Sequence, residues 1–293
     1  MKLRTLMFAC TCLLGFSVMY GQQAKGKSVV FVDYFNAPSN VNKTLIETLR
    51  GKVIEGIQET QRLQVIDVAS HAELKDEAER RKSESAMGDM IARTSEMRTL
   101  GANYIITGDI ATMTATDQKD SDNKRYYKGS IQWTIKVIDA ETGTLKTTQT
   151  FDHSGFTGSR GDTRDEAIAK TCDYAKYSMD DFINETFPME GLILKVETVK
   201  KDKAQTVYID LGSAQGVVDG QRFDVFLETD IAGEIGRTEI GALSAKEVVS
   251  AQRTLCKVTK GGKEIQTAVM NGQKLIVISK KGTVIDSLTK GLF

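Results

Sequence analysis

After Leu192 the chain breaks into short strand-like runs, and this constrains the fold more than any other feature. "LILKVETVKKD", "AQTVYIDLG", "QRFDVFLET", "EIGRTEIGALSAKEVV", "TLCKVTKG" and "QKLIVISK" follow one another, separated by turn residues. Strand signals spaced by roughly ten residues read as a small all-β barrel or sandwich. The residues before Pro188 follow another plan. Val29 to Val32 form an unbroken run of β-formers, as expected of a strand buried on both faces. Ile46, Leu49, Val53 and Ile57 then fall at helical spacing. "LQVIDVA" reads as a short strand. Residues 71–85 and 87–102 read as two helices, the second burying Met87, Ile91, Met97 and Leu100. "NYIITGDIATMTATD" reads as a strand. "KDSDNKR" is a polar connection. "YYKGSIQWTIKVIDAETGTLKTTQTFDHSG" reads as a hairpin in which Ile131, Trp133, Ile135 and Val137 alternate with polar residues. A long helix closes the unit. Thr163 and Glu166 have capping-box spacing at its start, and Ile168, Cys172, Ala175, Met179, Phe182 and Ile183 mark its inner face.

The expected architecture is therefore an α/β (α+β) unit with a mixed sheet, followed by a small all-β, barrel-like unit. Pro188, one of only two prolines, and Gly191 mark the boundary. The expected limits are residues 26–188 and 191–281, with a tail over 282–293.

The first residues read as an export leader. Lys2 and Arg4 precede the uncharged run "LMFACTCLLGFSVMY", which is short for a membrane span. The expected signal peptide is 1–21, cleaved after Gly21 to leave Gln22 first; an uncleaved anchor is the weaker reading. Apolar sequence continues past Cys10, which disfavours lipidation there. Cys172 and Cys256 remain. They lie in different expected units, so a disulfide is not the default. An exported chain with so few cysteines is held by its cores, which suits a bacterial periplasm or cell surface.

Charge removes some function classes. Lys+Arg and Asp+Glu are both 39. No basic excess points to nucleic acid, and the leader's two cations leave the remaining chain at about −2.

Candidate chemistry is sparse. Gly212, Gly216 and Gly220 imitate a phosphate loop, but their spacing is wrong for a dinucleotide fingerprint. "QRFDVF" after Gly220 is strand-like, so no helix N-terminus is available to hold a phosphate. The expected role is a tight turn between strands. His71 and His153 have no metal-ligand or triad spacing around them, and no G-x-S-x-G is present. "DQKDSDN" (117–123) lacks the glycine and distal glutamate of a calcium loop and reads as a solvated hairpin tip. "RGD" at 160–162 reads as a helix entry, with Asp162 or Thr163 as cap. Tyr34 with Phe35, and Tyr126 with Tyr127, are candidates for an aromatic contact patch. No catalytic, metal or cofactor residue is assigned.

Several stretches carry a resemblance. "VVFVDYFN", "RLQVIDVASHAELKDEAERR", "LGANYIITGDI" and "IKVIDAETGTLK" resemble the periplasmic domain of the curli secretion protein CsgG and its relatives. These relatives include the penicillin-binding-protein activator LpoB and the middle domain of the flagellar assembly protein FlgT. The closest matches are Gly101 to Tyr104 and Asp139 to Gly143. Val207 to Gly212, Gly216-Val217, Gly220, Phe223, Val225-Phe226, Gly233 and Ile235-Gly236 resemble the C-terminal β-domain of the same flagellar protein. The resemblance implies a non-catalytic cell-envelope assembly or scaffold protein, periplasmic or on the periplasmic face of the outer membrane. It would act through protein partners or as a homo-oligomer, with membrane contact at most peripheral. The alternative it implies is a periplasmic regulator of peptidoglycan synthesis, LpoB-like. A hydrolase with a dispersed site is disfavoured by the missing nucleophile–base motif.

Overall fold

The computed structural model describes residues 27–70, 97–154 and 157–280. The leader, the first expected helix, most of the second and the tail lie outside these residues, and so does His71. Strand β1 (Ser28–Asn36) leads into helix α1 (Lys43–Glu59) and strand β2 (Leu63–Asp67). β3 (Tyr104–Lys119), β4 (Arg125–Asp139) and β5 (Leu145–His153) follow as a meander. A two-residue β6 (Arg160–Gly161) precedes α2 (Arg164–Thr186). The sheet order is β2-β1-β3-β4-β5, with β6 on β4. β1 is parallel to β2 and β3, and β3, β4 and β5 are antiparallel, so the sheet is mixed.

The expected core residues explain the layering. α1 and α2 pack side by side on one sheet face. Leu49, Val53, Ile57, Cys172, Met179 and Phe182 from the helices meet Val30, Ile106, Ile131, Trp133, Ile135 and Val137 from the strands. Trp133 is fully buried, with Phe35 and Phe151 stacked on it at centroid distances of 5.9 and 4.7 Å. The starts of α1 and α2 are capped by side chains. Asn42 accepts the Thr44 N–H, and Thr163 accepts the Glu166 N–H. The cap of α2 is therefore Thr163, not Asp162. On the opposite face, Phe31, Met97, Ala102, Ile105 and Ala140 form a smaller cluster. Leu100, expected in that core, is 37% exposed.

Only Phe187, Pro188 and Met189 separate α2 from β7 (Glu190–Lys200). β8 (Lys203–Ile209), β9 (Arg222–Ile231), β10 (Glu234–Ser250), β11 (Arg253–Lys260) and β12 (Leu275–Lys280) complete a closed antiparallel barrel, ordered β10-β11-β8-β7-β12-β9. Closure leaves no open sheet edge around the barrel wall. Val207, Phe223, Val225, Leu243, Cys256, Ile265 and Val277 fill it. Helix α3 (Gly262–Met270) was not legible in the sequence. It spans nine residues and buries only Ile265 and Ala268, too little for a periodic signal. Cys172 and Cys256 are free and lie in different cores; burial pushes each thiol up to about 12. Among the described residues no helix is long and apolar enough to cross a membrane.

Candidate functional site

Most polar groups that sequence reasoning singled out build the fold. Asp139 accepts the N–H groups of Glu141 and Thr142 and the Thr142 hydroxyl, which folds the β4–β5 turn. These bonds, led by the Thr142 amide, hold its carboxyl below the ordinary range. Asn103 accepts the Val29 N–H at 2.8 Å, and its own carbonyl accepts the Ala140 N–H. The two motif segments thus border one open polar cleft of about 310 Å³, lined by Arg98, Asn103, Tyr104, Asp139 and Glu141. Its motif residues spend their hydrogen bonds inward, on the backbone of the cleft wall.

Arg50 is a second polar centre. It is 3% exposed, a burial that arginine tolerates only when paired. Its guanidinium donates to the carbonyls of Val32 and Asp33 and pairs with Glu47 and Asp67. It also lies 5.1 Å from the Tyr34 ring centroid. The guanidinium therefore ties α1 to the C-terminal ends of β1 and β2. Burial raises the Tyr34 phenol, against the opposing pull of Arg50.

The glycine stretch is a barrel loop, as expected. It links β8 to β9 through a single short turn of helix at Ser213–Gln215. Gly216 has φ +82°, and a Cβ there would stand 2.9 Å from the Gln61 carbonyl oxygen. The loop is thus seated against the end of α1. Beside it, Arg62 donates to Gln221 at 3.1 Å across the same junction. Burial pulls Arg62 down to about 10, with Asp180 opposing the shift. His153 is buried among the rings of Trp133, Phe151 and Tyr174, and that burial lowers its pKa. Among the described residues no group of three or more His, Cys, Asp or Glu side chains is placed to hold a metal ion. In the acidic hairpin tip, Asp120 accepts from the Asp122 and Lys124 amides, and Asp117 pairs with Arg125.

The four candidate aromatics do not form one patch. Phe35 is in the core, and Tyr34 lies beside Arg50. Tyr126 and Tyr127 are elsewhere, on an extended part of the β3–β4 hairpin. β1 pairs with β3 only as far as Asp109, and β5 pairs with β4 from Ile131 onward. The β3–β4 ribbon therefore extends past both neighbours, from Met113–Lys119 to Arg125–Gly129. A bare two-stranded ribbon is marginally stable. This arm is backed by β6 and by the first turns of α2, and Gly129 lets α2 approach, since a Cβ there would strike Ala167 and Thr171. Alternation puts the two tyrosines on opposite faces. The Arg160 guanidinium lies 3.8 Å from the Tyr126 ring centroid, and Arg164 lies 5.5 Å from that of Tyr127. Arg160 belongs to the RGD, so that triplet is part of the arm. The Tyr126 hydroxyl is fixed by Gln118 at 2.9 Å. The resulting Tyr126–Arg160 platform is part-exposed and of the residue types that dominate protein contacts, whereas Tyr127 packs against the core. Sequence reasoning found the tyrosines but not their arginine partners, which lie more than thirty residues away.

One family model matches: the peptidoglycan-synthase activator LpoB, over residues 17–146. No curated protein sequence matches the chain. Among solved structures, a PelC dodecamer from Paraburkholderia phytofirmans shares 11% identity over 52% of this chain and 87% of that one, at a TM-score of 0.33. The LpoB C-terminal domain from Escherichia coli shares 15% over 47% and 90%, at 0.29. That from Salmonella enterica shares 13% over 44% and 84%, at 0.28. Structural likeness this distant carries no functional information. The family match corrects the resemblance expected from the sequence: it is to LpoB, and nothing found supports CsgG or FlgT. The physical reason is visible in the motifs. Gly101 to Tyr104, Asp139 to Gly143 and the barrel glycines shape turns and strand starts, which any chain of this topology requires.

Proposed function

We propose that the protein is a non-catalytic regulator of peptidoglycan synthesis, exported across the inner membrane and acting by direct contact with a synthase. The observation that carries this reading is the match of residues 17–146 to the peptidoglycan-synthase activator model. The export leader, cleaved between Gly21 and Gln22, is part of the same proposal, and so is a division into a sheet unit (26–188) and a barrel unit (191–281). The place of action is the periplasm or the periplasmic face of the outer membrane.

The β3–β4 arm is the proposed contact surface, because its two strands lie within the matched span and Tyr126, on one of them, stacks with Arg160, which lies outside it. The test is binding of the purified chain to the peptidoglycan synthases of its own cell, measured by surface plasmon resonance. Tyr126→Ala with Arg160→Ala is expected to weaken binding about thirtyfold or more, as for loss of a hot spot. The fold should survive, since neither side chain enters a core. Unchanged affinity in that variant would move the contact off the arm. No binding by the unaltered chain to any synthase would remove the reading itself.

A further inference from the structure

The barrel has two unlike ends. The end bearing the 210–222 loop rests on α1, as described above. β7 and β9 are both antiparallel to β12, so they run the same way and finish together at the opposite, distal end. Two ribbons rise there. β9 pairs with β12 only through Leu227, and β10 pairs with β11 only from Ala242. Residues 229–236 therefore pair only with each other and project beyond the wall. The β7–β8 hairpin rises similarly, because β11 reaches β8 only as far as Thr206.

The ribbon tips are opposite in charge. The β9–β10 tip carries Asp230 and Glu234 with Ile231 and Ile235, which are 64% and 73% exposed. The β7–β8 tip carries Lys200, Lys201 and Lys203 against a single acid, Asp202, beside Val199, 50% exposed. None of these apolar side chains serves a core. Both turns are tight and hold non-glycine residues in the left-handed region: Ala232 in one, Lys201 and Asp202 in the other. Each such residue costs roughly 1–2 kcal/mol, so these tip conformations are held at some expense to stability. The root of the acidic ribbon is fixed by Arg237, which bridges Glu190 and Glu228.

We infer that the distal end of the barrel is a self-association surface whose occupant is a second copy of this chain. A two-fold axis through that end brings each acidic, isoleucine-bearing tip onto the partner's lysine-bearing tip. Because both tips sit at one end, the arrangement closes on itself as an isologous dimer and does not propagate into a fibre. The isoleucines supply burial, and the opposite charges set register and exclude the pairing of like tips.

Sedimentation velocity on the purified chain tests this. A dimer is expected at about 50 μM, loosening as salt rises. Ile231→Asp with Ile235→Asp should raise the dimer Kd about thirtyfold or more. Glu234→Lys alone should weaken it about threefold, and adding Lys201→Glu to the same chain should restore it. Circular dichroism should be unchanged in all these variants, since the positions are exposed, and so should melting at concentrations where the unaltered chain is monomeric. A strict monomer, or a dimer indifferent to the isoleucine pair, would overturn the inference. So would a charge swap that fails to rescue.

Discussion

The sheet unit and the barrel are held together by different chemistry. The sheet core encloses charged and polar groups, among them Arg50, Asp33, His153 and Thr171. The barrel core is almost wholly apolar, with Thr254 and Ser279 as its buried polar residues among those described. Arg50 shows why the sheet unit accepts this cost. Parallel strands end in carbonyls and carboxylates at the same edge, and a guanidinium satisfies several at once. A closed antiparallel barrel satisfies its backbone internally and needs no such tie. The barrel then sends its irregularity outward, into two projecting ribbons. The sheet unit sends out one arm and keeps the rest of its polar chemistry inside.

If the two cores are independent, the largest effects should be separable. Trp133→Ala is expected to cost the sheet unit about 3–5 kcal/mol, and Phe223→Ala to cost the barrel a similar amount. Calorimetry checks this. Each variant should lower one transition, and a single shared transition lowered equally by both would break the comparison. The junction gives the next effect. Gly216→Ala places a Cβ against Gln61 in a conformation that disfavours L side chains, at a cost of roughly 1–2 kcal/mol. The expected result is faster proteolytic cleavage near residues 187–189 with both cores still folded.

The smallest effect is pH-dependent and confined to the sheet unit. His153 has its folded pKa below its unfolded one, because burial disfavours the cation. Its contribution is fully present above about pH 6.5 and is lost as pH falls through the folded value. Denaturant midpoints should drop on acidification in that window. His153→Gln should flatten the drop, and an unaltered slope would put the acid sensitivity elsewhere.

The same contrast explains what was legible in the sequence. The strands around Trp133 and the stripe from Ile168 to Ile183 were readable because one buried face imposes a period. The barrel strands were readable from turn spacing, but closure, α3 and the ribbon overhangs were not, since these depend on which strands pair. Tyr126 and Tyr127 were readable as aromatics. The Tyr126 platform was not, because Arg160 reaches that ring only through the pairing of β6 with β4. The glycine loop was legible as a turn, while the seat of Gly216 on α1 needed both units in view.

The proposed activity is a gain in peptidoglycan-synthase rate through direct contact with this chain. The most direct measurement is glycan-strand polymerisation from lipid-linked precursor by the synthases of the same cell, with and without the purified chain. The expected rate is several times higher with the chain present, with no gain from the Tyr126→Ala, Arg160→Ala variant. An unchanged rate with every synthase, at concentrations that saturate binding, would contradict it.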